Sequence, residues 1–274
     1  MAKFQRIYWK KDFDWNSYAK LYNDYTKSKR NYYNLSSLEL IKSVKLGENL
    51  RVVDLACGTG ALTSILKNKY PKIKIFAVDL SKEMLKYYNK NFKREIKTGQ
   101  IRVVEGNAER ISYLTKELYD VIFISSALWD LELDPLIKDL KKILKKGGKI
   151  VFNLPALVVE KERGFIYFIE HFFRKTLKSD LIYRRIPIKI LKRKFEDKGF
   201  KLIKIKDYSF NMTKPNIKSF FDVLRYRYPF ILFPKEMPYS EKLKRCTDIF
   251  NDSLRYVPQE GLEEEGMVFV FENF

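Results

Sequence analysis

Residues 52–60 read VVDLACGTG and are the most informative segment of the chain for its fold. An apolar run that contains an acid and is followed by closely spaced glycines predicts a buried strand, a tight turn and the start of a helix. Gly58 and Gly60 can adopt backbone angles that other residues avoid, and they leave room for a ligand to lie against the backbone. The turn is therefore a candidate nucleoside-ligand site, although glycine pairs also occur in strand-to-helix turns for structural reasons alone.

Short apolar runs alternate with segments of helical period around and beyond this turn, from Leu50 to about Asn153. The alternation is typical of strand-helix-strand units and of a parallel sheet. The predicted strands are Leu50–Leu55, Ile73–Asp79, Ile101–Glu105, Asp120–Ile124 and Lys149–Leu154. The predicted helices between them are Ala61–Lys69, Lys82–Arg94 with Ser81 as N-cap, and Pro135–Lys145, which a turn at Lys146, Gly147 and Gly148 ends.

The regular alternation breaks beyond Pro155. The next predicted elements are an aromatic-rich helical insertion at Val158–Lys178, a helix at Pro187–Lys198, a strand at Phe200–Phe210, a mostly helical insertion at Lys214–Val257, and a seventh strand at Gly266–Phe271. No internal repeat or low-complexity linker is visible, so we predict a single domain over residues 1–274.

Two carboxylates narrow the choice of ligand. Asp54 at the strand end would repel a pyrophosphate but would favour the cationic amino group of a methionine. The third glycine of a dinucleotide fingerprint would fall at position 63, which is Thr63. Asp79 ends the next strand near the offset at which an acid accepts hydrogen bonds from an adenosine ribose. These features favour S-adenosylmethionine over a dinucleotide.

From Arg51 to Asn153 the sequence resembles the class I S-adenosylmethionine-dependent methyltransferases. Three further segments match the family's order and spacing: VEGNAE at 104–109, YDVIFISS at 119–126, and LKKGGKIV at 144–151. Two residues depart from the family pattern, Ala56 in place of a more usual Gly and Asn107 in place of a more usual Asp. An amide oxygen can accept the hydrogen bond that the family's Asp takes from the adenine amino group.

The resemblance implies a Rossmann-like α/β fold with a seven-stranded, mostly parallel sheet, its last strand antiparallel, helices on both faces and added helical insertions. It implies S-adenosylmethionine as the cofactor, at the carboxyl ends of the strands. The expected cofactor-binding residues are Tyr18, Tyr22, Asp54, Ala56, Gly58, Gly60, Asp79, Leu80, Met84, Asn107, Ala108 and Ser125. Residues 1–48 are expected to form a helical lid, and residues 156–186 and 214–258 to cover the acceptor side. Packing in the core is the alternative role for Tyr18 and Tyr22.

Methyl transfer from a sulfonium is an in-line displacement that alignment and exclusion of water can promote without a general base. Trp129 and Asp130 follow the fourth strand and are candidate catalytic residues, with packing and helix capping as their alternatives. His171 is the only histidine in the chain and could act as a base, because its ordinary pKa lies near neutrality. A polar position on a helix surface is the alternative for His171.

The amino-acid composition limits which partners, metals and membrane segments can be expected. The net charge of +20, from 54 Lys and Arg against 34 Asp and Glu, could attract nucleic acid or an acidic protein, but the basic residues are spread along the whole chain. One His and two distant Cys do not form a recognisable zinc site, so no metal is expected. No apolar stretch is long enough to span a membrane, and we predict a cytoplasmic protein.

The favoured function is methyl transfer to a small molecule. The second insertion weakly resembles that of malonyl-carrier-protein methyltransferases, so an acyl group on an acidic carrier protein is an alternative acceptor. The positive net charge makes RNA another alternative. A non-catalytic cofactor-binding protein of the same fold is the alternative from a different functional class. The oligomeric state stays open.

Overall fold

The structure is a computed structural model that describes residues 14–28, 30–177, 185–234 and 236–274. Its strands are β1 (Arg51–Leu55), β2 (Lys74–Asp79), β3 (Ile101–Glu105), β4 (Tyr119–Ile124), β5 (Leu144–Pro155), β6 (Phe200–Met212) and β7 (Leu262–Asn273). Its α-helices are α1 (Trp15–Thr26), α2 (Tyr32–Lys42), α3 (Ala61–Lys69), α4 (Lys82–Asn91), α5 (Lys93–Lys97), α6 (Leu133–Ile143), α7 (Phe165–Leu177), α8 (Ile188–Glu196), α9 (Lys214–Leu232) and α10 (Tyr239–Arg255).

The seven strands form one sheet in the order β3-β2-β1-β4-β5-β7-β6. β1 to β5 pair in parallel, whereas β7 runs antiparallel to both β5 and β6. The predicted sheet, including its antiparallel last strand, is confirmed. Because β1, β2 and β4 are parallel neighbours, their carboxyl ends lie at one edge, where open α/β sheets bind ligands.

Apolar side chains cover both faces of the sheet. One face packs against α6 and α8, the other against α2, α3 and α4, and both sets of contacts are buried. A third aromatic-rich cluster joins α1, α7, α9 and α10. The two predicted insertions therefore pack with the N-terminal helix. Residues 1–13 and 178–184 of the predicted lid and first insertion lie outside the described residues.

Several boundaries differ from the sequence prediction. The predicted helix Lys82–Arg94 is two helices, because the backbone of Phe92 leaves helical geometry, with φ −122° and ψ 28°. The predicted turn at 146–148 belongs to an irregular start of β5, in which Leu144 pairs with Tyr119 and Lys149 with Val121. The first insertion becomes α-helical only at Phe165, after Gly164 with a φ of +88°.

No helix in the described ranges is both long and apolar enough to cross a membrane.

Candidate functional site

The turn after β1 is held in a left-handed conformation. Ala56, Gly58 and Gly60 have φ angles of +57°, +54° and +98°, which L-residues with a side chain adopt at a cost. A Cβ on Gly58 would lie 3.2 Å from Cε1 of Tyr22 on α1. Glycine at position 58 therefore permits both the left-handed backbone angle and the close approach of α1.

Asp79 at the end of β2 faces this turn. Its Oδ2 accepts a hydrogen bond from the Gly58 N–H at 2.8 Å, and its Oδ1 accepts one from the Ser81 N–H at 2.9 Å. Burial raises the pKa of the carboxyl, while these backbone N–H groups favour the charged form. The carboxylate is fixed in position at the mouth of the β1 turn.

A cavity of about 450 Å³, here called the main cavity, opens at the carboxyl ends of β1, β2 and β4. This volume is within the usual range for small-molecule and cofactor sites. The predicted residues that line it are Tyr22, Ala56, Gly58, Asp79, Leu80, Met84, Asn107, Ala108, Ser125 and Asp130. Residues from α1, from three strand ends and from the loop after β4 thus meet around one space.

Two predicted cofactor residues lie behind the cavity wall. Asp54 is buried beneath the turn, where its Oδ2 accepts a hydrogen bond from the Thr63 hydroxyl at 2.6 Å. Burial raises the pKa of Asp54 to about 7. Gly60 faces away from the main cavity, because a Cβ there would collide with the Phe92 ring. Both residues shape the turn from below without lining the cavity.

Three other predicted residues also lie off the cavity wall. Tyr18 is buried between Trp15 and Tyr22, with both ring centroids at 5.9 Å, so it packs behind them. Trp129 lines a smaller neighbouring space of about 40 Å³, here called the inner cavity. His171 is exposed on α7, beside the Tyr167 ring at 6.3 Å. The structure places none of the three against the main cavity.

Sequence reasoning missed six residues that line the main cavity: Trp15, Tyr33, Glu109, Ala127, Leu131 and Arg227. Arg227 comes from α9, and its Nη2 contacts Oδ1 of Asp130 at 2.5 Å. Its guanidinium carbon lies 5.0 Å from the centre of the Trp15 ring. A signal was available, since Arg227 falls at helical spacing from buried Phe220 and Leu224, on the apolar face of α9.

Hydrogen bonds fix the loop after β4. Ser126 has a φ of +51°, and its backbone N–H donates to Oδ1 of buried Asn153 at 2.8 Å. The hydroxyls of Ser125 and Ser126 lie 2.8 Å and 3.0 Å from those of Ser37 and Ser36 on α2. Because α2 also carries Tyr33, these contacts set the distance between the loop and that ring.

Helix α1 is tied to both sides of the β1 turn. Oδ1 of Asn16 accepts hydrogen bonds from the Ser81 hydroxyl at 2.9 Å and the Glu83 N–H at 3.1 Å. At the other end of the helix, the Thr26 and Thr59 hydroxyls lie 3.1 Å apart. These polar contacts fix α1, whose Trp15 and Tyr22 rings line the cavity, and the lid role of residues 1–48 stays a prediction.

Comparisons with known proteins agree with this arrangement. A family model described as a methyltransferase domain matches residues 52–148. The malonyl-[acyl-carrier protein] O-methyltransferase of Priestia megaterium is 29% identical over 139 residues, which cover 50% of this chain and 48% of that protein. The trans-aconitate 2-methyltransferase of Variovorax paradoxus is 29% identical over 147 residues, 52% of this chain and 50% of that protein. The chain thus matches about half the length of these curated relatives.

A solved structure shares the fold over nearly the whole chain. The S-adenosylmethionine-dependent methyltransferase from Thiobacillus denitrificans, in complex with S-adenosyl-L-homocysteine, superposes with a TM-score of 0.59. It is 17% identical in sequence, and the superposition covers 92% of this chain and 97% of that one. The matched segment and the curated relatives identify residues 52–148 as a methyltransferase domain of the class I S-adenosylmethionine-dependent type, and the solved structure shows that the same fold extends over the rest of the chain.

Proposed function

We propose that the chain binds S-adenosylmethionine in the main cavity and transfers its methyl group to a small-molecule acceptor. The observation that carries the proposal is Asp79, a carboxylate fixed by two backbone N–H groups beside a glycine turn, on the wall of a cavity at the ends of parallel strands. Each carboxylate oxygen has a second lone pair, so Asp79 can still accept hydrogen bonds from two ribose hydroxyls.

The residues around Asp79 are suited to bind the adenine part of S-adenosylmethionine. Leu80 is 65% exposed and Met84 lines the same wall, which offers apolar contact to a purine ring. Oδ1 of Asn107 accepts the Glu109 N–H at 2.8 Å. An amide oxygen has room for a second donor, so Asn107 can still take the role of the family's Asp toward the adenine amino group.

When bound, S-adenosylmethionine supplies an activated methyl group, and the residues of the chain align that group with the acceptor. Tyr22 and Tyr33, whose ring centroids are 4.7 Å apart, close the cavity on the α1 and α2 side. The Ser125–Ser126 loop at the end of β4 is hydrogen-bonded to α2 and lines the same cavity. Walls fixed in this way can hold two reactants in line and exclude water, which is what this displacement needs.

A small acceptor is favoured because three aromatic side chains line the cavity, namely Trp15, Tyr22 and Tyr33. The two curated relatives are named for a malonyl carrier protein and for trans-aconitate. The net charge of +20 supports an acidic carrier protein as the bearer of the acceptor group. RNA as an acceptor and a cytoplasmic location stay predictions.

Equilibrium binding of S-adenosylmethionine, followed by a metabolite screen with methyl-labelled donor, tests the proposal. We expect saturable binding and transfer of label to at least one small molecule. Binding without transfer, even in a single turnover with every acceptor class, would favour a non-catalytic protein. No binding at millimolar donor would remove the proposed function.

A further inference from the structure

A second large space in the structure is not used by the proposed function. This space, here called the polar cavity, has a volume of about 500 Å³ and lies between α1, α2 and α3, beside the end of α4. It reaches the β1 turn at Thr59 and Gly60, but none of its described lining residues also lines the main cavity. Its volume is in the range of small-molecule sites, so it can hold a ligand of its own.

Helical spacing builds two walls of the polar cavity. Residues four apart lie on the same face of a helix. Asn34 and Leu38 have this spacing on α2, and Ser64 and Asn68 have it on α3. Each helix thus contributes one stripe of side chains to the lining.

The lining carries almost no charge. Charged residues make up 32% of the chain, but Lys27 is the only one among the 14 described residues that line the polar cavity. Oδ1 of Asp24 lies 3.1 Å from the Lys27 ammonium and offsets its charge. The lining of the main cavity differs, because it includes Asp79, Glu109, Asp130 and Arg227. The polar cavity is therefore poorly suited to bind an ionic ligand.

Neutral hydrogen-bonding side chains make up half of the lining. Four of the chain's 14 asparagines contribute to it, namely Asn23, Asn34, Asn68 and Asn91. Three hydroxyl residues join them, namely Thr26, Thr59 and Ser64. Amide and hydroxyl groups can both donate and accept hydrogen bonds. This capacity matches a ligand with several hydroxyl groups, since each of those is also a donor and an acceptor.

Much of this hydrogen-bonding capacity is left over after the protein's own contacts. Nδ2 of Asn34 donates to two backbone carbonyls, at 2.9 Å and 3.1 Å, and Nδ2 of Asn91 donates to the Thr59 carbonyl at 3.1 Å. These bonds hold both amides in place, and no described residue donates to Oδ1 of either one. The side chains of Ser64 and Asn68 make no hydrogen bond with the part of the chain that the structure describes. Two fixed acceptors and two unused polar groups thus line the same space.

Apolar side chains complete the lining, namely Leu35, Leu38, Ile65 and Phe92. A sugar ring or a cyclic polyol has hydroxyl groups around its rim and C–H groups on its two faces. The C–H faces can bury against the apolar side chains while the amides bind the hydroxyls. Neither a wholly apolar ligand nor a compact ion would use both parts of this lining.

We propose that the polar cavity binds a neutral, polyhydroxylated ring compound of the size of a monosaccharide or a cyclic polyol. The free Oδ1 atoms of Asn34 and Asn91 accept hydrogen bonds from ligand hydroxyls, and Ser64 and Asn68 both donate and accept. This inference goes beyond the proposed function and does not rest on it, because the two cavities share no described lining residue.

Saturation-transfer NMR on the full chain tests the proposal, with glucose, ribose, mannose and myo-inositol as probes. We expect at least one of them to bind with a dissociation constant in the millimolar range, which is ordinary for ligands of this size. Cyclohexanol, which has the ring but only one hydroxyl, should bind roughly tenfold or more weakly, because it forgoes several hydrogen bonds. Glucose 6-phosphate should bind no more tightly than glucose, because the lining offers a phosphate little charge.

Variants on α3 then assign the binding to the polar cavity. Ser64→Phe places a ring in the space and should abolish binding of the best probe. Asn68→Ala removes one free amide and should weaken binding roughly three- to tenfold, the effect of one hydrogen bond between uncharged groups. Asn251→Ala on α10 is the matched control, because Asn251 is an exposed asparagine outside the lining, and it should bind the probe as wild type does. Thermal unfolding shows whether each variant is folded.

Three results would overturn the inference: none of the four probes binds, binding survives in a folded Ser64→Phe variant, or cyclohexanol binds as tightly as the best polyol. Glucose 6-phosphate that binds tenfold more tightly than glucose would instead show an anion site and would also overturn it. If Ser64→Phe does not fold, Asn68→Ala decides, and full affinity in that variant contradicts the placement of the ligand.

Discussion

Asp79 and Gly58 are joined by a 2.8 Å hydrogen bond from the Gly58 N–H to Oδ2 of the carboxylate. The bond ties the end of β2 to the turn after β1, so the position of the acid and the path of the glycine turn depend on each other. Both residues line the main cavity, and a change at either should alter donor binding.

Replacing Asp79 with Ala should weaken S-adenosylmethionine binding by about 1.5–3 kcal/mol, the usual range for hydrogen bonds to a charged group. The variant loses both the proposed contact with the ribose hydroxyls and the anchor of the turn. Titration calorimetry measures the change. Asp120→Ala is the matched control, because Asp120 also accepts a backbone N–H, from Arg51 at 2.8 Å, but at the opposite end of the sheet. Equal affinity in the two variants would exclude Asp79 from the site.

Ala in place of Gly58 should both destabilise the fold and weaken donor binding. The left-handed φ costs an L-residue about 1–2 kcal/mol, and the new Cβ would press on the Tyr22 ring at 3.2 Å. Gly147→Ala separates the two effects, since Gly147 has a φ of +73° with open space around it. Chemical unfolding should show losses in both variants, but S-adenosylhomocysteine binding should weaken only at position 58. Normal binding by a folded Gly58→Ala protein would argue against the placement of the turn.

The pH dependence of stability should report the burial of Asp54. Its pKa is about 7 in the folded chain, above its ordinary value, so the native state holds a proton that the unfolded state has released. Wild-type stability should therefore fall relative to Asp54→Asn as pH rises from about 4 to about 7, by at most roughly 1.4 kcal/mol per pH unit, and level off above. Urea unfolding of both proteins across this range measures the difference. Parallel curves would mean that Asp54 is ionised throughout.

Ser126 should tolerate Gly better than Ala. Either change removes the hydroxyl, which lies 3.0 Å from that of Ser36 and accepts from Asn153 at 3.2 Å. Only Gly also relieves the left-handed φ of +51°, so Ser126→Ala should be the less stable variant by about 1 kcal/mol. Thermal and chemical unfolding rank the two. The reverse order would show that the backbone angle at this loop carries no strain.

Local sequence patterns predicted the sheet well because each strand and turn has a local physical cause. The apolar run at 52–55 and the glycines at 58 and 60 produce the observed strand, turn and helix start. The offset of Asp79 placed it correctly at the next strand end. Boundaries were less certain, as at Phe92, where the backbone leaves helical geometry and one predicted helix becomes two.

The acceptor side was less predictable because its residues meet only through tertiary packing. Asp130 and Arg227 are 97 positions apart, and no local pattern links them. His171 drew attention through its chemistry, yet its helix turns it to solvent while Phe165 and Ile169 face the core. The only sequence signal for Arg227 was its position on the apolar face of α9. That signal is weak, because the sequence does not show that α9 packs against the cavity.

Titration of the full chain with S-adenosylhomocysteine in a calorimeter, with Asp79→Ala alongside, decides whether the main cavity is the donor site. We expect saturation of one site per chain below about 1 mM, in line with ordinary enzyme affinities, and a clear loss of affinity in the variant. Absence of binding at millimolar ligand, or equal binding by the variant, would show that the donor does not bind there.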